Sequence, residues 1–126
     1  MTAEVVVTSF GHGHAPAPQV DLLVDARRTF RNPHHDPAMR ELTGLDDVVR
    51  RHVLATPGVP EVIVHVAAAA RALAAATGRT ANVGCGCTGG RHRAPVLAEG
   101  VAAELRAHGV AVTVIHRDVN KPVIQR

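Results

Sequence analysis

The chain has 126 residues, 46% of them hydrophobic and 20% charged, and two Cys. That suits one compact domain with one core, and it excludes an intrinsically disordered chain and a disulfide-dense scaffold. The net charge of +3 with His neutral, nine His, and a pI of about 9.7 favour anionic partners, while 2% aromatic residues are too few for a base-stacking groove.

The elements follow from pattern. Glu4 to Phe10 contains Val5-Val6-Val7, a β-branched run that predicts a strand. Gly11 to Pro18, rich in Gly, His and Pro, cannot continue it and reads as a loop. Val20 to Asp25 is a second short apolar run. Arg27 to Thr43 carries Pro33 and Pro37 without a clear period, and a loop of that length inside a compact domain points to function. Leu45 to Ala55 is expected to be helical, with Asp46 and Asp47 at its positive end. Thr56-Pro57-Gly58 breaks it. A second helix is expected from Pro60 to Thr77, with Val59, Val62, Ile63, Val66, Ala70 and Leu73 on one side and Gly78 as its cap. Thr80 to Cys85 predicts a third strand, and Gly86 to Arg91 a loop. A third helix then runs to His108, with Leu97, Val101 and Leu105 on one face and Pro95 tolerated in the first turn. Gly109 caps it, and Val110 to His116 predicts a fourth strand before a polar tail.

Strands alternating with helices predict an α/β domain: a mostly parallel four-stranded sheet with helices on both faces. No apolar run of membrane-span length and no signal-peptide pattern is read, so no membrane is expected and the location is expected to be cytoplasmic. Cys85 and Cys87 would share a strand face near or beyond disulfide reach, which predicts reduced thiols.

Ligands of open α/β sheets bind beyond the carboxyl ends of the strands. Asn82 to Arg93 (NVGCGCTGGRHR) lies at such an end. Its glycines allow tight turning and close approach, so backbone N–H groups and a helix N-terminus can face one anion. Thr88 adds a hydroxyl, Arg91 and Arg93 fixed positive charge, and His92 a donor or titrating group. The plain alternative is a Gly-rich connector with solvated Arg side chains. Cys87 and Arg93 also read as Cys-x5-Arg, the phosphate-loop pattern of Cys-dependent phosphatases.

Six stretches resemble the C-terminal domain of the RNase adapter protein RapZ and its relatives. They are Ser9-Phe10-Gly11, Asp21 to Arg27 (DLLVDAR), Asn32 to Pro37 (NPHHDP), Leu42 to Asp46 (LTGLD), Gly86 to Arg93 (GCTGGRHR) and His116-Arg117-Asp118 (HRD). They lie in the family's order. The resemblance implies one RapZ C-terminal-like domain over residues 1–126, with its core at about 4–121, and a fold similar to a phosphofructokinase subdomain. It implies sensing of glucosamine 6-phosphate, with RNA as a second partner. By resemblance the ligand lies against Asp25, Arg27, His34, Cys87, Thr88, Gly89, Gly90, His92 and Arg93. Full-length members carry an ATP-binding domain, but this chain has no Gly-x-x-x-x-Gly-Lys-Ser/Thr motif, so an ATP-binding label would belong to another part. Departures from the family are His12 and His14 after Phe10-Gly11, Ala94 after the loop's last Arg, and a Lys-rich tail reduced to Lys121 and Arg126.

Other candidates have plainer readings. Asp25 could hold a sugar hydroxyl or amine, orient Arg27, or simply pair with a neighbouring Arg. His34 is preferred over His35 because adjacent side chains rarely serve one site. Thr43-Gly44 reads as a turn, His65 as solvated, His108 as a cation at a helix end, and His116 as a strand terminus or a support for the site. Cys85, Cys87, His12, His14, His34 and His92 fit no standard zinc spacing, so no metal and no cofactor is expected.

The expected function is a non-enzymatic regulatory binding domain for a phosphorylated small molecule, with RNA at a basic rim. Two alternatives stay open. One is a phosphohydrolase with Cys87 as nucleophile, Arg93 as phosphate clamp and Asp25 or Asp36 as general acid. The other is a protein-interaction adapter, including self-association, with a vestigial pocket.

Overall fold

The computed structural model describes residues 3–124, and Arg126 lies outside them. Four strands form one sheet in the order β2-β3-β1-β4, every pair parallel. Strand β1 is Val5–Gly11, β2 Leu22–Asp25, β3 Ala81–Cys87 and β4 Val112–His116. Helices α1 (Asp47–Leu54) and α2 (Val59–Thr77) join β2 to β3, and α3 (Arg93–Ala107) joins β3 to β4. The parallel four-stranded α/β sheet expected from the sequence is therefore present.

Connection handedness distributes the cover. Going from β2 to β3 and from β3 to β4 crosses the sheet in one direction, so right-handed crossovers lay their helices on one face. Val5, Val7, Ala81, Val83, Cys85 and Cys87 point to that face and join one core with Val49, Val53, Ile63, Leu97 and Leu105. The step from β1 to β2 runs the other way and has no helix. The second face is thus covered by residues 12–21 and Phe10, where the sequence reading places helix. Phe10 lies so close over β3 that a Cβ on Gly86 would sit 2.5 Å from its ring, and Val20 lies over Gly84. Arg117 stacks 5.2 Å above Phe10 and donates to the carbonyls of Gly11, Ala15 and Pro16, which holds the loop down.

α3 is the most enclosed helix: every residue from Arg93 to Ala98 is buried. α2 buries Val59, Ile63 and Ala70 of the expected stripe together with Ala67, leaves Val62, Val66 and Leu73 partly buried, and ends at Gly78 with φ 67°. Its 19 residues, with a mean hydropathy of 1.5, are long and apolar enough by length and composition to cross a membrane, a point the sequence reading missed. Here the stripe packs on α3, where a Cβ at Gly100 would sit 2.5 Å from Ile63 Cδ1.

β3 runs two residues beyond the expected end because β1 pairs with it as far as Gly11 and Cys87. The pairing continues as His12 and Gly13 donate to the carbonyls of Cys87 and Thr88. Cys87 therefore closes the strand, and the loop is only residues 88–92. Within residues 27–43 a short 3-10 turn, Pro33–His35, is capped by Asn32, whose Oδ1 accepts from the His34 N–H at 3.1 Å.

Candidate functional site

A cleft opens where β3 hands over to α3. Its lining includes His34, Cys87, Gly89, Arg91, His92 and Arg93, with Asn32 beside them and Pro122, Val123 and Ile124 across from them. Cys87, the last strand residue, is buried, and its Sγ accepts from the Gly90 N–H at 3.2 Å. Gly90 reaches that position with φ 70°, a left-handed conformation that favours glycine. Cys85 below it is fully buried, and burial pushes its thiol up to about 12. Both cysteines are free thiols.

Arg91, His92 and Arg93 are each engaged with backbone. Arg93 is 3% exposed and donates to the carbonyls of Ala26 at 2.6 Å and Thr29 at 3.1 Å. These bonds hold a segment in which Phe30 has φ 67°, a costly conformation for a bulky residue. His92 Nε2 lies 3.0 Å from the Met39 carbonyl and 3.1 Å from that of Arg40. A neutral ring protonated at Nε2 donates there, and burial lowers the His92 pKa, which keeps the ring neutral. Arg91 donates to the carbonyls of Leu42, Glu41 and Lys121. Gly44 returns an N–H to the Arg91 carbonyl at 2.8 Å, so the Thr43-Gly44 turn packs directly on the loop.

The back of the loop rests on β1. A Cβ on Gly11 would meet the Gly89 carbonyl carbon at 2.4 Å, and one on Gly90 would meet the Gly11 nitrogen at 2.5 Å. Backbone touches backbone, so glycine is required on both sides. The Gly11 N–H donates to Asp118 Oδ2 at 2.7 Å. Asp118 is fully buried and is also bound by Arg117 at 2.8 Å and Lys121 at 2.6 Å. Desolvation opposes its charge, but those two cations and the Gly11 N–H win and bring its pKa down to about 2.

Asp25 and Arg27 lie apart from the cleft lining, at the tip of β2. Arg27 grips Asp25 through Nε and Nη2, the shortest contact 2.6 Å, and both are largely exposed. The hydrogen bonds from Arg27 hold the Asp25 carboxyl well below the usual carboxylate range. His12 stands 3.7 Å from Asp25, with its pKa lowered first by burial and then by Arg27. Arg93 spans the two groups, because the carbonyls it binds belong to residues on either side of Arg27. Thr88 is half-buried beside Gly89, outside the cleft lining, and its carbonyl accepts from Gly13.

Of the sequence candidates, His34, Cys87, Gly89, His92 and Arg93 thus share one cleft, Gly90 supports it, and Asp25 and Arg27 form a second group. Asn32, Asp118 and the segment 122–124 were not singled out as site residues. Asn32 and Asp118 carried a signal, since they lie in the NPHHDP and HRD stretches; the segment carried none. His116 bridges Ser9 Oγ at 2.6 Å and Glu99 at 2.8 Å, which locks β4 to β1 and α3. His65 and His35 are exposed. Asp36 is also exposed and its Oδ1 accepts from the Ala38 N–H. Among the described residues no three His, Cys, Asp or Glu side chains are gathered as a metal would need.

A family model described as the RapZ C-terminal domain matches residues 3–120. The chain is 44% identical over 118 residues to a nucleotide-binding protein of Thermus thermophilus, covering 91% of this chain and 42% of that relative. Similar matches are nucleotide-binding proteins of Thermobifida fusca (40% over 119 residues, 91% and 40% covered) and Leifsonia xyli (42% over 127 residues, 95% and 43% covered). The chain spans about two fifths of the length of these curated relatives.

Proposed function

The chain belongs to the RapZ C-terminal domain family, and from that premise we propose that it is a non-enzymatic regulatory binding domain for a phosphorylated small molecule of the amino-sugar phosphate class. The observation that carries this is the cleft where Cys87, Gly89 and residues 91–93 meet His34 at the carboxyl edge of a parallel sheet. A glycine loop opening a buried helix, with two arginines and a hydrogen-bonding His around it, is chemistry suited to a phosphate. Asp25 and Arg27 at the neighbouring strand tip suit the polar groups of a sugar. Exposed Arg28 and Arg31 beside Asn32 supply a basic rim for RNA phosphates as a second partner. The nucleotide-binding label of the relatives names proteins more than twice as long, and no Walker-type loop occurs here. A cytoplasmic location accords with the two free thiols.

The phosphohydrolase alternative is less well supported. Asp25 is gripped by Arg27 and held ionised, so it is a poor general acid at neutral pH. Arg93 spends hydrogen bonds on two backbone carbonyls rather than offering its whole fork to the cleft.

The test is thermal unfolding with glucosamine 6-phosphate against glucosamine alone. A ligand at 100 times its Kd adds about 2.7 kcal/mol of stability, so the phosphorylated sugar raises the melting point and the free sugar does not. No rise with any sugar phosphate removes the binding reading. Phosphate release measured on the same samples is expected to stay at background. Sustained release, abolished by Cys87→Ser, would promote the enzyme.

A further inference from the structure

The fourth side of the cleft is built by the chain's last described residues. After β4 the backbone turns at Asp118, and Lys121 is fastened twice. Its Nζ lies 2.6 Å from Asp118 Oδ1, and its carbonyl accepts from Arg91 Nη1 at 3.2 Å. Beyond that fastening Pro122, Val123 and Ile124 line the cleft opposite Cys87 and Gly89. Ile124 is seated against the 12–14 loop, since a Cβ on Gly13 would lie 2.5 Å from Ile124 Cδ1. The space left inside is about 10 Å³, room for roughly one water. Pockets that hold small ligands are on the order of 300 Å³ or more. With this segment down, the cleft takes nothing the size of a sugar phosphate.

We infer that Pro122–Ile124 form a wall that must swing away from the Cys87 cleft before any ligand larger than a water molecule, inorganic phosphate included, can enter. The ligand class rests on the function proposed above; the wall itself does not. The hinge is Lys121, and Arg91 couples it to the loop. Arg91 donates both to carbonyls of the 41–42 segment and to that of Lys121. An anion that draws Arg91 Nη1 into the cleft takes it from the Lys121 carbonyl and loosens the hinge. The wall is mainly apolar, so it adds little attraction for phosphate and acts by occupying volume.

The experiment reads the wall first without ligand. Cys87 is alkylated with iodoacetamide in the full chain, in a chain ending at Lys121, and in a Val123→Gly/Ile124→Gly variant that keeps full length. Peptide mapping separates Cys87 from Cys85, which is fully buried with a strongly raised pKa. Both altered chains are expected to label at Cys87 about tenfold faster, as removal of a local opening step predicts. Equal rates in all three overturn the inference. Association is then timed with inorganic phosphate and with glucosamine 6-phosphate. Both probes are expected to associate about tenfold faster with the altered chains, the gain expected when an opening step is removed. Faster labelling with unchanged sugar-phosphate association overturns the gating. Faster labelling with no binding of either probe to any chain overturns the phosphate reading and leaves the wall in place.

Discussion

Two groups of polar residues stand side by side at the carboxyl edge of the sheet, and they are built on opposite rules. In the cleft, Arg93 and His92 are buried and bind carbonyls of distant loops. At the β2 tip, Asp25 and Arg27 are exposed, two residues apart, and bind each other. The first group positions backbone, and the second presents charge. The comparison teaches that the same residue type, Arg, is part of the frame at 93 and part of the display at 27. A motif alone does not distinguish these roles, because both arginines fall in polar runs next to a strand end.

The sharpest way to break this contrast is to remove each arginine. Arg93→Ala leaves two carbonyls that accepted charge-assisted bonds, each worth about 1.5–3 kcal/mol, so a loss of about 3 kcal/mol is expected by urea unfolding. The loss falls on the fold because that side chain is buried in contact with backbone. Arg93→Lys keeps the charge but not the planar fork and should recover only part of the loss.

A slightly smaller effect is expected at the loop's glycines. Gly90→Ala puts a Cβ against Gly11 and Phe10 backbone at a positive φ, and should cost about 2–3 kcal/mol. Gly89→Ala meets nothing within 4 Å, and is expected to leave the unfolding midpoint nearly unchanged. Equal destabilisation by both would mean the crowding against β1 is not what shapes the loop.

Acid separates the frame residues from one another. The His92 pKa is lowered by burial, so its stabilising neutral form is fully present above the ordinary value of 6.5 and is lost as pH falls below it. Asp118 is depressed from 3.8 to about 2, so its contribution is present above 3.8 and is lost as pH falls toward 2. That second step is expected to be about 2 kcal/mol. Unfolding followed across pH should show both steps, with His92→Gln removing the upper one and Asp118→Asn the lower. The smallest effect belongs to the display group: Arg27→Ala should not move the unfolding midpoint, yet it should weaken sugar-phosphate binding measured by calorimetry. A large stability loss there would erase the contrast.

Much of this was legible because it was local. The β-branched run of β1, the stripe of α2 and the caps at Gly78 and Gly109 depend on near neighbours, and each is seen in the structure. The loop between β3 and α3 was legible from its glycines and cations. Three things were hidden because they depend on distant pairing. The end of β3 was set by Gly11 on another strand. The cover of the second face was set by strand order, which places the helix-free connection there. The closing of the cleft by 122–124 was hidden because a short apolar segment after a strand has no periodicity to announce its target.

The bond between the Gly11 N–H and Asp118 joins residues 107 positions apart. Closing so long a stretch carries an entropic cost that must be met before the contact gives anything back, and non-local pairings of this kind slow folding. Of the four strands β1 leaves the ribosome first and β4 last, so the loop of residues 88–92 has strands to lean on but no Asp118 to fix its back until residue 118 has emerged. The cleft is therefore expected to be the last feature to mature during synthesis, and a released chain truncated after His116 should acquire its sheet without fixing the back of the cleft.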